Sequence, residues 1–107
     1  MPAVSSTASP VAIDTLARVG TALADPSRRR ILLALLDEPA YPADLADTLA
    51  LSRSNISNHL ACLRGCGLVT ATRNGRQVRY ELSSPRLRHA LEDLVALDLD
   101  IETACDG

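Results

Sequence analysis

The chain of 107 residues contains no phenylalanine and no tryptophan, and tyrosine occurs only at Tyr41 and Tyr80. Any core must therefore be built from Leu, Ile, Val and Ala, a composition that favours helices over a large sheet. Lysine is missing too, so every basic residue is an arginine. No apolar run has the length needed to span a bilayer. The N-terminus shows no basic region followed by an apolar stretch, so no secretory signal is expected. The expected compartment is the cytoplasm, where thiols stay reduced. Cysteine is scarce and odd in number, at Cys62, Cys66 and Cys105, which argues against a disulfide framework. Catalytic signatures are absent: there is no glycine-rich phosphate loop and no nucleophile elbow. His59 and His89 have no sequence neighbours suited to acid–base work, and an enzyme is not expected.

One further absence is local. From Thr48 to Tyr80 there is no Asp or Glu, while Arg53, Arg64, Arg73, Arg76 and Arg79 all fall there. From His89 onward the pattern inverts, with Glu92, Asp93, Asp98, Asp100, Glu102 and Asp106 and no arginine. The formal net charge of -2 hides this segregation. A basic segment in an acidic chain suggests a local surface for a polyanion; a solvated face with uneven charge is the plainer alternative.

What is present reads as one domain. Apolar residues make up 47% of the chain, enough for a core, yet a domain this small is marginal alone and gains from dimerisation. The Ser-, Ala- and Pro-rich residues 1–10 are expected to be disordered. Residues 11–104 form the expected domain, with 105–107 as a tail end. Ile13, Leu16, Ala17, Gly20 and Leu23 recur at helical spacing in a first helix, 11–24. Asp25 and Pro26 break it and cap a second helix through Leu36. A loop from Glu38 to Pro42 leads to a short helix, 43–49. A turn at Ala50-Leu51-Ser52 leads to a further helix, 53–65, with Ile56, Leu60 and Leu63 inward and Gly67 placed to end it in a left-handed conformation. Residues 68–73 and 77–82 alternate around Asn74-Gly75, a strong hairpin signal. A last helix is expected from Pro85 to about Ala104. The fold class is mainly α with a small β-hairpin, in the order α-α-α-α-β-β-α.

Two helices joined by a tight turn and followed by a hairpin make a winged helix-turn-helix, whose second helix enters the major groove by its N-terminal residues. Here these are Arg53, Ser54, Asn55, Ser57, Asn58 and His59, short polar groups and one arginine suited to phosphates and base edges. The loop from Arg73 to Arg76 makes a basic wing tip, and Gln77 and Arg79 follow it; such a tip can lie along the backbone or in the minor groove. Double-stranded DNA is the expected partner.

At this point the sequence resembles the ArsR/SmtB metalloregulatory repressors. The resemblance rests on "ALADPSRRRILLALL", "LADTLALSRSNISNHLACLRGCGLV" and "GRQVRYEL" and runs from roughly Thr15 to Leu97. It implies a homodimer whose first and terminal helices form the interface, and repression of a nearby operon that metal relieves.

Cys62 and Cys66 are one helical turn apart and share a face. A pair at that spacing can grip one ion, and Cys105 offers a third sulfur. Thiolate-only ligation selects soft, thiophilic ions. Cd(II), Pb(II) and As(III) all suit three sulfurs, and such a site lacks the fourth protein ligand of structural Zn(II). Single cysteines of this kind are otherwise small core fillers, and His59, three residues before Cys62, could be a ligand or face DNA or solvent. The resemblance narrows the choice. A common arsenic and cadmium pattern of the family puts Cys-x-Cys in the helix before the recognition helix, where this chain has Tyr41-Pro42-Ala43-Asp44. Its zinc pattern uses Asp and His on the terminal helix, where this chain has Ser84, Arg86, Leu97 and Asp100. What remains is similar to the CmtR-type cadmium and lead sensors, whose "CLRGC" works with a C-terminal Cys of the other subunit. The expected function is therefore a repressor that binds operator DNA as an apo dimer and is released by a soft ion such as Cd(II) or Pb(II). As(III) sensing, Zn(II) binding and thiol redox sensing use the same sulfurs. A winged helix that binds a protein and no DNA is the alternative from another class.

Overall fold

A computed structural model describes residues 9–102. Five helices and one hairpin follow in the expected order: α1 Pro10–Ala24, α2 Pro26–Asp37, α3 Pro42–Leu49, α4 Arg53–Gly65, β1 Val69–Asn74, β2 Gln77–Leu82 and α5 Pro85–Val95. Proline sets this segmentation. Pro10, Pro26, Pro42 and Pro85 each open a helix, where the missing N–H costs nothing and the fixed φ suits the first turn. Ser9, Asp25, Ser52 and Ser84 each accept a hydrogen bond from the amide three residues on, at 3.0–3.1 Å.

α2 is the hub and packs against α1, α3, α4, α5 and β2. Its Ile31, Leu32 and Leu35 meet Leu45 and Leu49 of α3, Ile56, Leu60 and Leu63 of α4, Val69 and Leu82 of the hairpin and Leu91 of α5 in one aliphatic core. α1 contributes little to it: Ala22 is its one buried residue, while Val11, Ile13 and Leu16 are exposed, Leu16 at 71%. The helical stripe expected on α1 is present, but much of it faces outward.

Arginines close the C-termini of α1 to α4 from a distance. Arg28 and Arg29 donate to the last carbonyls of α1, Arg88 of α5 to Leu35 and Leu36 at the end of α2, and Arg30 to Leu49 at the end of α3. Arg18 of α1 reaches the Gly65 carbonyl at the end of α4, at 3.5 Å. These carbonyls lack partners within their own helices and carry the negative end of the dipole. Much of the arginine outside the acid-free segment is thus engaged in holding the fold.

Two boundaries differ from expectation. α5 ends at Val95 rather than near Ala104. Beyond it Leu97, Leu99 and Ile101 alternate with Asp98 and Asp100, a period of two that puts no continuous stripe on a helix. Aspartates at a helix C-terminus also oppose the dipole. Leu97, Leu99 and Ile101 are all exposed. Residues 103–107, including Cys105, lie outside the described residues, as does most of the expected N-terminal tail. In the hairpin, Asn74 pairs with Gln77, so the two-residue loop is Gly75-Arg76. Gly75 alone of that pair has positive φ, +68°, the pattern of a turn with glycine at its first central position. Arg73 belongs to β1 opposite Val78, and Arg76 holds the tip.

Candidate nucleic-acid interface and metal centre

The turn between α3 and α4 sets the site. Ala50 adopts a left-handed conformation, φ 56°, and the Leu51 amide returns to the Ala46 carbonyl at 3.0 Å. Ser52 then caps α4 through the Asn55 amide. The far end of α4 closes by the same device. Gly67 has φ +83°, its amide donates to Arg64, and the Leu68 amide donates to Leu63, both at 3.0 Å. These are the paired bonds of a Schellman motif, and the glycine sits where the sequence places it.

Between these ends, Ile56, Leu60 and Leu63 are buried, and Arg53, Ser54, Asn55, Ser57 and Asn58 are exposed. The helix thus offers a polar, acid-free face at its N-terminal half. Arg73, Arg76 and Gln77 are exposed on the wing, and Arg79 is half-buried on β2. The wing is anchored to the body through its own core residues. Val69 and Leu82 are buried, and Tyr80 pairs with Ala40 by two backbone hydrogen bonds of 2.9 and 2.8 Å.

His59 differs from its helix neighbours. It is half-buried, and its Nε2 lies 3.8 Å from Oδ2 of Asp25 at the α1–α2 corner. Asp25 is held below the usual carboxylate range, first by the hydrogen bond from the Arg28 amide and also by the nearness of His59 and Arg28, against the opposing effect of desolvation.

Cys62 and Cys66 are free thiols, both half-buried. Cys66 is the C-cap residue, yet its right-handed φ and ψ of −81° and −6° keep it in the helical path. Its amide donates to the Cys62 carbonyl at 3.0 Å. Both thiols therefore sit on one turn of α4. Arg18 reaches the carbonyl of Gly65, the residue before Cys66, at 3.5 Å and also pairs with Asp14 at 2.7 Å. The end of α4 that carries the cysteines is thereby in touch with α1, the helix with the exposed apolar stripe. Among the described residues no group of three or more His, Cys, Asp or Glu could hold a metal ion. Two soft sulfurs one turn apart fit part of the coordination shell of a soft ion, and the expected third donor, Cys105, lies outside the described residues. His59 faces Asp25, and no such cluster includes it.

Sequence reasoning did not single out Arg18, Asp25 as a partner of His59, or Tyr41. One signal was available for Tyr41. It occupies an N-cap position without a side-chain cap bond, where Ser, Thr, Asp or Asn is preferred.

Residues 25–71 match the family described as bacterial regulatory protein, arsR family. The HTH-type transcriptional regulator CmtR of Mycobacterium tuberculosis is 61% identical over 88 residues, covering 82% of this chain and 75% of the relative. The NMR structure of the cadmium metal-sensor CMTR from the same organism aligns with a TM-score of 0.66 at 58% identity, over 85% of this chain and 97% of that one. A homodimeric winged helix-turn-helix DNA-binding domain from Mycobacterium bovis aligns with a TM-score of 0.71 at 31% identity, over 78% of this chain and 80% of that one. With an acid-free recognition helix, a basic wing and relatives this similar over most of their length, the chain is a winged helix-turn-helix protein and belongs to the arsR family of bacterial regulatory proteins.

Proposed function

We propose that the protein is a transcriptional repressor without enzymatic activity that binds operator DNA as a homodimer and is released by a soft ion, Cd(II) or Pb(II). One observation carries the reading: a single helix bears an exposed polar face at Arg53–Asn58 and two free thiols, Cys62 and Cys66, one to two turns later. The relatives named for cadmium sensing and for transcriptional regulation support it.

In this reading Arg53, Ser54, Asn55, Ser57 and Asn58 meet phosphates and base edges in the major groove, and Arg73, Arg76, Gln77 and Arg79 of the wing follow the backbone. His59 sits closer to the α1–α2 corner and contributes at the edge of that surface. The exposed stripe of α1 and the apolar positions Leu94, Val95 and Leu97 supply the dimer contact, since contiguous exposed apolar surface marks an interaction site. Cys62, Cys66 and Cys105 hold the ion as thiolates. A bound soft dication supplies charge and a rigid link between those sulfurs. Arg18, on the dimer helix and in contact with the end of α4, couples the state of that turn to the subunit arrangement. Binding of DNA and of the ion oppose each other by one shared factor, as linkage requires.

Two measurements test the reading. The metal-free protein binds a duplex carrying its own promoter region with an affinity that falls steeply with salt, because arginines displace counterions. Cd(II) added to the metal-free protein produces an ultraviolet thiolate-to-metal band that Cys62→Ser and Cys66→Ser each abolish. Absence of the band in the unmodified chain removes the sensor reading, and absence of duplex binding removes the repressor reading.

A further inference from the structure

The wing is tied to the body at a point that neither hairpin pairing nor the core explains. Asn74, the last residue of β1, donates from its side-chain Nδ2 to the Tyr41 hydroxyl oxygen at 2.6 Å. The two residues are 33 apart in sequence. Tyr41 stands at the N-cap of α3, and its side chain makes no cap bond there. Among the described residues, every other helix has a capping Ser or Asp. α3 thus forgoes a side-chain cap, and the phenol reaches the hairpin instead.

Position gives this hydrogen bond leverage. The backbone bridge between Ala40 and Tyr80 already lays the segment before α3 beside β2. That bridge holds the middle of the hairpin, where Tyr80 stands opposite Ala71. Asn74 closes the turn against Gln77, with only Gly75 and Arg76 beyond it. A two-stranded ribbon is marginal by itself and free to twist at its tip. Tyr41 adds a second anchor at the tip. Arg73 and Arg76 lie on either side of Asn74 and are exposed.

We propose that Tyr41 is a positioning residue for DNA binding: its phenol oxygen, bonded to the Asn74 side chain, fixes the wing tip and so aims Arg73 and Arg76 at the DNA backbone. The proposal rests on the DNA-binding reading above. It gives the loop before α3 a function separate from both metal and dimer.

The test uses the full chain with Tyr41→Phe, Asn74→Ala and the double variant. Tyr41→Phe keeps the ring and removes the oxygen. The expected result is about three- to tenfold weaker operator binding, the scale of one hydrogen bond. The slope of log affinity against log salt should drop by about one for each phosphate that an arginine no longer meets. Asn74→Ala should reproduce both changes, and the double variant should be no worse than either single one. In the metal-free, DNA-free protein, the heteronuclear NOE at the Gly75 and Arg76 amides should fall in each variant. Thermal midpoint and Cd(II) affinity should stay near those of the parent, which separates positioning from general damage. Unchanged affinity and slope in Tyr41→Phe overturn the proposal. So do additive effects in the double variant, which would mean that Tyr41 meets DNA itself. A parent chain that binds no duplex sinks the repressor reading together with this one; a parent that binds while both variants match it sinks this one alone.

Discussion

The imidazole Nε2 of His59 lies 3.8 Å from the carboxylate of Asp25, so the recognition helix meets the corner where α1 turns into α2. Asp25 also caps α2 through the Arg28 amide at 3.0 Å. One carboxylate thereby joins three helices, and its ionised form is the one the fold uses.

Stability should therefore depend on acid at this residue. The Asp25 carboxyl sits below its ordinary value of 3.8 in the folded protein. A group depressed on folding contributes stability that is fully present above its unfolded pKa and is lost as pH falls through the folded one. Between about pH 5 and about pH 3 the thermal midpoint of the parent should fall further than that of Asp25→Asn, which keeps a capping oxygen but cannot titrate. Parallel curves for the two proteins would remove Asp25 from this role.

The two ends of the α3–α4 turn should respond with opposite signs. Ser52→Ala removes the cap of the recognition helix and should cost about 1 kcal/mol. Ala50→Gly relieves a left-handed alanine, φ 56°, and should gain about 0.5–1 kcal/mol. Denaturant melts of both variants check the pair.

Arginines of the wing and arginines of the helix ends should separate cleanly. Arg76→Ala should weaken operator binding and lower the salt slope by about one, with little effect on stability. Arg30→Ala removes the bond to the Leu49 carbonyl, 2.8 Å, and should lower the thermal midpoint while leaving the slope unchanged. A slope change in Arg30→Ala would place it on the DNA instead.

The exposed stripe of α1 gives a prediction about assembly. Leu16 is 71% exposed, so Leu16→Asp should leave each subunit folded. It should shift the protein toward monomer in sedimentation or light scattering. A dimer of unchanged strength would move the interface elsewhere.

Much of this fold was legible because its signals are local. Asp25-Pro26, Ser52, Gly67 and the alternation after it act on their own neighbours, and the helices they bound begin and end within a residue or two of where those residues place them. The pair Cys62 and Cys66 was legible for the same reason, since a spacing of four fixes a shared face. The errors have physical causes as well. The Leu-Asp alternation at residues 97–101 has the period of a strand, and α5 stops before it. Asn74 can begin a turn as readily as it can end a strand, and its register was settled by the cross-strand pairs. What could not be read was long-range. Nothing near Tyr41 in sequence points to Asn74, and nothing near Arg88 or Arg18 points to the carbonyls they close. His59 follows the polar run of α4 in sequence, and only the packing of α1 and α2 brings Asp25 to it.

The central claim is that the sulfurs at the end of α4 and the polar face at its start belong to one switch. Its most direct measurement is a Cd(II) titration of the preformed complex between the dimer and a fluorescent operator duplex, read by anisotropy at constant salt. The account predicts that anisotropy falls to that of free DNA as the ion saturates the protein, and that Cys62→Ser binds the duplex normally but stays bound throughout. Anisotropy unchanged by saturating Cd(II) in the unmodified protein would contradict it.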